Sequence, residues 1–243
     1  MQGSLAITQL LNHWFGGLAA AAMHMVGVQA NPATAIDDAF ALELLVVVGL
    51  IVFFLIVRLS LSVEKPNPAQ QIAEMVHEFT GGQGEQVIGH GYERFQAFIT
   101  CILLFVAINN LLGLIPGVVT PTSKPVVPLG IATLTFLYYN FYGLRVHGLL
   151  GYLKTFAGPV WWMSPLLFPV EIISHLARMM SLTIRLYANM LASDLLTLIC
   201  FSMLPIAAPS IFLGLHFGVA LIQAYVFMLL TTIYLAMAVS HEH

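Results

Sequence analysis

The feature that most constrains this chain is a long, predominantly apolar stretch at residues 41–62, ALELLVVVGLIVFFLIVRLSLS. About 20 consecutive apolar residues are enough for a helix to cross a lipid bilayer. Only 8% of the 243 residues are charged, whereas a soluble globular chain has about 25%. The chain is therefore predicted to be an integral membrane protein.

The remaining apolar stretches are also long, and they lack the apolar–polar alternation that is typical of membrane barrel strands. Since only helices and closed barrels span a bilayer, we predict an all-α fold. Two spans, at 95–116 and 126–143, are joined by a short loop rich in turn residues and form an antiparallel hairpin. Two further apolar blocks, 165–203 and 207–239, complete about five crossings.

Both C-terminal blocks exceed 30 residues, and an upright helix needs only about 20. They are therefore predicted to be two strongly tilted helices that form a hairpin over 165–239, turning near residue 205. Residues 1–40 are predicted to be a surface segment with an amphipathic helix, and residues 63–94 a surface segment on the cytoplasmic side. The whole chain is expected to form a single membrane domain.

The basic residues indicate the orientation of the chain. With five crossings, one side of the membrane receives five of these residues and the other side only Lys124. The five are Arg58, Lys65, Arg94, Arg145 and Lys154. Because cytoplasmic loops are enriched in Lys and Arg, we expect the N-terminus outside and the C-terminus in the cytoplasm. No basic stripe suggests a nucleic-acid partner.

A set of polar residues interrupts the two C-terminal blocks. Its members are Glu171, His175, Arg178, Arg185, Asn189, Asp194, His216 and Gln223. In a hairpin about residue 205, residues whose numbers add up to about 410 face each other. Asp194 then lies level with His216, Arg185 lies level with Gln223 or Tyr225, and Glu171 lies near the inner end.

The spacing of these groups indicates proton transfer. Carboxylates and histidines can take up and release protons near neutral pH, and charged groups inside a membrane usually face a partner or water. Arg185 does not deprotonate, so it suits two other tasks. It can attract a passing carboxylate in its ionised form, and it can prevent a proton from running straight along the ladder of polar groups.

Simpler roles remain open for the same residues. Arg185 could pair with Asp194 or with a lipid phosphate, and Arg178 could be an interfacial residue whose charge reaches the headgroups. His175 could be a polar packing group. Asn189 and Gln223 could join helices by hydrogen bonds, which is the interpretation that we favour over ion binding for Asn109 and Asn110.

Three segments resemble a known family, subunit a of the membrane sector of the rotary F-type ATP synthase. They are PVEIISHLARMMSLTIRLYANMLASD, LHFGVALIQAYVFMLLTTIYLAMAVSHEH and the earlier FVAINNLLGLIPG. The resemblance extends from about residue 70 to the C-terminus. Its C-terminal motifs, the RLxxNMxA core and the later HxxxxxxQAxxF element, are specific.

The resemblance implies a role for most of the polar set. The essential arginine of the family falls on Arg185, and the carboxylate of its inner half-channel falls on Glu171. The polar residues of the outer half-channel fall on Asn189, Asp194, His216 and Gln223. Many members carry Glu where this chain has Asp194. His175 and Arg178 are further candidates for the proton path.

The resemblance also implies what surrounds the chain. Its long tilted helices would lie against a rotor ring of c subunits, each with one carboxylate in the membrane. A b-subunit peripheral stalk, other ATP synthase subunits and lipid would be further partners, in a bacterial inner membrane. The chain would be the stator proton channel, with no catalytic site, cofactor or metal of its own. Sodium coupling stays open, although His216 favours protons.

Other classes of membrane protein predict different features. A secondary transporter of ions or anions, with Arg185 as its substrate site, should have broken helices and an internal repeat, and neither is evident. An intramembrane hydrolase should have a motif such as GxSxG or HExxH, which the sequence lacks. A purely structural subunit would not need the ladder of polar groups.

Overall fold

The computed structural model describes most of the chain, namely residues 6–25, 31, 35–62, 65–115, 118, 120–157, 164–203 and 207–239. Seven α-helices occupy these ranges: α1 Ala6–Met25, α2 Asp38–Leu59, α3 Pro68–Ile88, α4 Glu93–Leu112, α5 Val126–Ala157, α6 Ser164–Met203 and α7 Ala207–Val239. A short 3-10 turn, Pro121–Ser123, lies in the α4–α5 loop, and no strand occurs in the described ranges. The prediction of an all-α membrane protein is confirmed.

Four helices are long and apolar enough to cross a membrane. They are α2, α4 and the segments Pro165–Cys200 of α6 and Phe212–Val239 of α7. The sequence predicted a further crossing at 126–143, in α5, which is not among these four helices. The total of five crossings therefore stays a prediction, although α5 packs along both α6 and α7.

The two C-terminal helices are much longer than the bilayer is thick. α6 has 40 residues and α7 has 33, which correspond to lengths of about 60 and 50 Å. The hydrocarbon core of a bilayer measures about 30 Å. Helices of this length must tilt or continue into the headgroup region. Residue 205, where the hairpin was predicted to turn, lies outside the described residues.

Two clusters of buried side chains form the core. One contains Val106 of α4, Ile131 of α5, Leu186 of α6 and Phe227 of α7, and the other is centred on Ile99, with α5 and α7 again contributing. Burial is uneven among the helices: 44% of the apolar window is buried in α4 and in α7, against 17% in α2 and 11% in α6. α4 and α7 are thus central, and α6 presents most of its surface outward.

The helix α3 is more than a surface helix. Its N-terminal half is exposed, but Thr80 forms a buried hydrogen bond of 2.8 Å with Thr100 of α4, and Gln96 of α4 donates to the His77 carbonyl at 2.8 Å. A Cβ atom at Gly81 would lie 2.8 Å from Gln96 Nε2. The glycines in the second half of α3 therefore permit a close helix contact that the amphipathic pattern did not predict.

The helix α1 is fixed to the start of α2 by polar contacts. Thr8 Oγ1 donates to Asp38 Oδ1 at 2.5 Å, and Asn12 exchanges two hydrogen bonds with the backbone of Ile36. Asp37, the N-cap of α2, also forms an ion pair with Lys124 of the α4–α5 loop. The loop and the start of α2 consequently lie at the same end of the bundle.

The helix α5 contains a break at Gly148. Its φ of 70° and ψ of 167° are not helical and separate two helical segments. A positive φ is readily adopted only by glycine. The break comes just after Arg145 and His147. Because of this kink, the direction of the chain changes before α6 begins.

Candidate functional site

The facing residues of α6 and α7 establish the register of the hairpin. Asn189 Nδ2 donates to Gln223 Oε1 at 2.8 Å, and the Arg178 guanidinium carbon lies 5.6 Å from the ring centre of Tyr234. Both pairs obey the register that the sequence predicted to within two residues. Gln223 thus pairs with Asn189, which lies about one helical turn from Arg185.

A first polar group, the outer group, lies where the α4–α5 loop meets α6 and α7. Thr120 Oγ1 donates to Asp194 Oδ1 at 2.8 Å, and the Asp194 carboxyl also interacts with Ser123 and His216. His216 is almost completely buried. The structure therefore brings Asp194 and His216 together, as the register predicted, and adds the loop hydroxyl groups.

The loop is held in place by Asn110. Thr122 Oγ1 donates to Asn110 Oδ1 at 2.7 Å, and Asn110 Nδ2 donates to the Ala220 carbonyl of α7 at 3.3 Å. Asn110 thereby joins α4, α7 and the loop, which confirms its predicted role between helices. For Asn109 the structure shows a bond to the Phe105 carbonyl of its own helix instead.

Several buried polar atoms near the outer group have no hydrogen-bond partner among the described residues. They include His216 Nε2, Gln223 Nε2 and Asn109 Oδ1. Buried polar atoms in proteins are nearly always paired, either with protein groups or with ordered water. His216 and Gln223 are two helical turns apart on one face of α7. This face is suited to a row of ordered water molecules.

A second polar group, the inner group, lies near the N-terminal end of α6. His175 Nε2 is 3.4 Å and Arg178 Nη2 is 3.9 Å from Glu171 Oε1. Tyr139 of α5 contacts the other side of the histidine ring, with Oη 3.0 Å from Nδ1. Arg178 and His175 therefore belong to one cluster with Glu171. A headgroup contact for Arg178 or a packing role for His175 would not by itself have led us to expect this cluster.

Arg185 lies between the two groups, on the exposed side of α6. Within the described part of the chain, no acidic side chain is at ion-pair distance from its guanidinium. Among the described residues, the pairing with Asp194 that the sequence left open is not formed, and Asp194 accepts a hydrogen bond from Thr120 instead. The cation is thus directed away from the core of its own chain.

Small side chains surround Arg185 on this face of α6. Ala177, Ser181, Ala188 and Ala192 are all exposed and follow one another at intervals of one or two helical turns. Small residues let the backbone of a second helix come close in a membrane. The face is therefore open to a partner helix that would reach the arginine.

Four residues of these groups were not predicted from the sequence: Thr120, Thr122, Ser123 and Tyr139. The three loop residues had one available signal, a loop of hydroxyl residues, TPTS, between two apolar spans. Tyr139 had none, because it is one of several tyrosines in α5 and only the packing of α5 on α6 distinguishes it.

Comparisons with known proteins agree on one family. The family described as ATP synthase A chain matches residues 40–236. ATP synthase subunit a of Koribacter versatilis is 48% identical over 244 residues, covering 100% of both chains. The subunit a of Solibacter usitatus is 44% identical over 83% of this chain and 87% of its own. That of Bdellovibrio bacteriovorus is 39% identical, over 71% and 75%.

Proposed function

This chain belongs to the ATP synthase A chain family, and from that premise we propose that it is the stator subunit that carries protons past a rotor ring. It is a multi-pass membrane subunit of an ATP synthase. One observation carries the proposal. Arg185 is exposed on α6, the least buried of the spans, and the outer and inner groups, which contain side chains able to exchange protons, lie on either side of it. Asp194 lies roughly 13 Å and Glu171 roughly 21 Å from Arg185 along α6.

The outer group is the proposed entry path during synthesis. A proton arriving from outside passes Asp194 and His216, and then the polar face of α7 that includes Gln223 and its partner Asn189. Ordered water supplies the hydrogen bonds that the buried atoms of this face lack within the protein. The proton is delivered to the carboxylate of a c subunit that faces α6.

The inner group is the proposed exit path. After the ring has turned with its carboxyl groups neutral, one of them gives its proton to the cavity beside Glu171 and from there to the cytoplasm. Arg185 favours the ionised form of the c-subunit carboxylate because a nearby cation stabilises the anion. Arg185 also blocks a direct proton path between the outer and inner groups, since its guanidinium does not deprotonate. Each charge that crosses contributes about 2.3 kcal/mol per 100 mV.

The proposed location is a bacterial inner membrane with the N-terminus outside. The relatives named above are bacterial proteins. The ion pair between Lys124 and Asp37 supports one part of this orientation, since it keeps the outer loop at the same end as the start of α2. A b-subunit stalk is a further proposed partner. His216 in the outer group favours protons over sodium as the coupling ion.

A cross-linking experiment tests whether α6 faces the rotor. In a variant with Cys101→Ser and Cys200→Ala, a cysteine is placed at Ala188, on the exposed face, or at Met190, on the buried face. Each is combined with single cysteines placed around the membrane carboxylate of subunit c, and disulfides are formed by mild oxidation. We expect a–c dimers only from Ala188→Cys. Dimers from Met190→Cys, or none from Ala188→Cys, would contradict the proposed interface.

The contact between α4 and the loop gives a second test. A Cβ atom at Gly113 would lie 1.9 Å from Thr120 Oγ1 and 3.3 Å from His216 Cε1. We expect Gly113→Ala to displace Thr120 from Asp194 and to lower ATP-driven proton pumping in inverted vesicles at least fivefold. Gly130→Ala is the matched control, because its Cβ atom would meet nothing within 4 Å. Equal activity of the two variants would count against a role for the Thr120–Asp194 contact.

A further inference from the structure

The histidine of the inner group is held between two side chains from different helices. Tyr139 Oη of α5 lies 3.0 Å from Nδ1, and Glu171 Oε1 of α6 lies 3.4 Å from Nε2. The tyrosine and histidine rings are also stacked, with centroids 5.7 Å apart at an angle of 29°. The ring is thus fixed in both position and rotation.

We infer that Tyr139 is a positioning residue for proton transfer at the inner end, holding His175 as a neutral donor to Glu171. The inference rests on the proposed role of Glu171 in the inner path. An ionised Glu171 carboxylate only accepts hydrogen bonds, so the single N–H of the neutral ring is on Nε2 and points at it, and Nδ1 accepts from the Tyr139 hydroxyl. The lone pair of Nδ1 is then engaged, and a second proton could bind there only if the Tyr139 hydroxyl gave up its donated bond and rotated.

The surroundings of His175 explain why it matters that the ring stays neutral. Arg178 already places one positive charge beside Glu171, at 3.9 Å, and its guanidinium also lies over the Tyr234 ring of α7. Glu171, Arg178 and Tyr139 are charged or titratable groups beside His175. Tyr234 of α7 contacts Tyr139 and Arg178. A protonated His175 would add a second cation at the mouth of the proton path. Like charge there opposes the entry of protons.

Tyr139 is suited to this task by its burial. Only 2% of its surface is exposed, and it belongs to the core cluster with Phe95, Ile99 and Met228. A buried tyrosine hydroxyl needs a hydrogen-bond partner, and its ring cannot move without disturbing the core. The hydroxyl can therefore be removed by Tyr139→Phe with little change in packing.

The test is the pH profile of ATP-driven proton pumping in inverted vesicles, whose outer medium faces the inner end of the path. In Tyr139→Phe, Nδ1 loses its hydrogen bond, so its lone pair becomes free to accept a proton when the medium is acidic. We expect pumping to fall at least threefold relative to wild type at pH 5.5 and to match wild type within twofold at pH 8.5. Tyr225→Phe is the control, since that hydroxyl bonds only an amide, Gln83, among the contacts in the structure.

A second background separates positioning from a general structural defect. If Tyr139 acts through His175, the pH-dependent loss caused by Tyr139→Phe disappears when His175→Gln is already present. A loss that is equal at all pH values, or that persists in the His175→Gln background, overturns the inference. Glu171→Gln tests the premise separately: wild-type pumping by this variant overturns the proposed inner path itself.

Discussion

Arg185→Ala is expected to abolish ATP-driven proton pumping and to leave the passive proton permeability of the membrane unchanged or increased. Without the guanidinium, no fixed cation stabilises the ionised c-subunit carboxylate at this level. Nothing then separates the outer group from the inner group, and protons can cross without turning the ring. Pumping is measured as ATP-dependent acidification of inverted vesicles, and permeability as the decay of an imposed pH gradient.

Two further variants make the result for Arg185 specific. Arg58→Ala removes an exposed arginine at the end of α2 and should pump normally. Arg185→Lys keeps a positive charge but replaces the planar guanidinium with a compact ammonium, so it should retain a low permeability while pumping poorly. Normal pumping by Arg185→Ala would contradict the proposed role. It would show that proton pumping does not depend on a positive charge at position 185.

Asp194→Asn is expected to lower pumping at least tenfold without disrupting the fold. The asparagine Oδ1 can still accept the hydrogen bond from Thr120, so the contact with the loop survives. An amide does not exchange protons near neutral pH, and the outer group loses its carboxylate. Pumping is compared in vesicles that contain equal amounts of the assembled complex, as judged by immunoblotting.

Two neighbouring substitutions separate the carboxylate from its hydrogen bond. Asp194→Glu restores the carboxylate on a side chain longer by one methylene, and should recover at least a third of wild-type pumping. Thr120→Val removes the donor and keeps the carboxylate, and should lose less than Asp194→Asn. Wild-type pumping by Asp194→Asn would show that protons reach the ring by another route.

The part of the site on the two long helices could be predicted well from the sequence. In two antiparallel helices of known rise, the position of the turn determines which residues lie at the same level. An approximate position for the turn was enough to bring Asp194 level with His216. Such a prediction carries an error of about half a turn. That error explains why the sequence placed Gln223 level with Arg185, whereas in the structure Gln223 pairs with Asn189.

The contributions from other elements could not be predicted in this way. Thr120 reaches Asp194 because the turn at Pro121–Ser123 packs on α6, and Tyr139 reaches His175 because α5 packs along α6. Neither contact produces a period in the sequence. The packing of α3 was missed for a related reason, since its glycines matter only where Gln96 approaches them.

The uneven burial of the helices has a consequence for the life of the newly made protein. α6 has 11% of its apolar window covered and displays a guanidinium on its open side. Against acyl chains, an arginine near the centre of a helix costs about 2.5–3.5 kcal/mol on insertion scales. In a copy of this chain without partner subunits, the exposure of Arg185 to lipid is therefore energetically unfavourable. Synthesis in step with its partner subunits would protect it from degradation by membrane proteases.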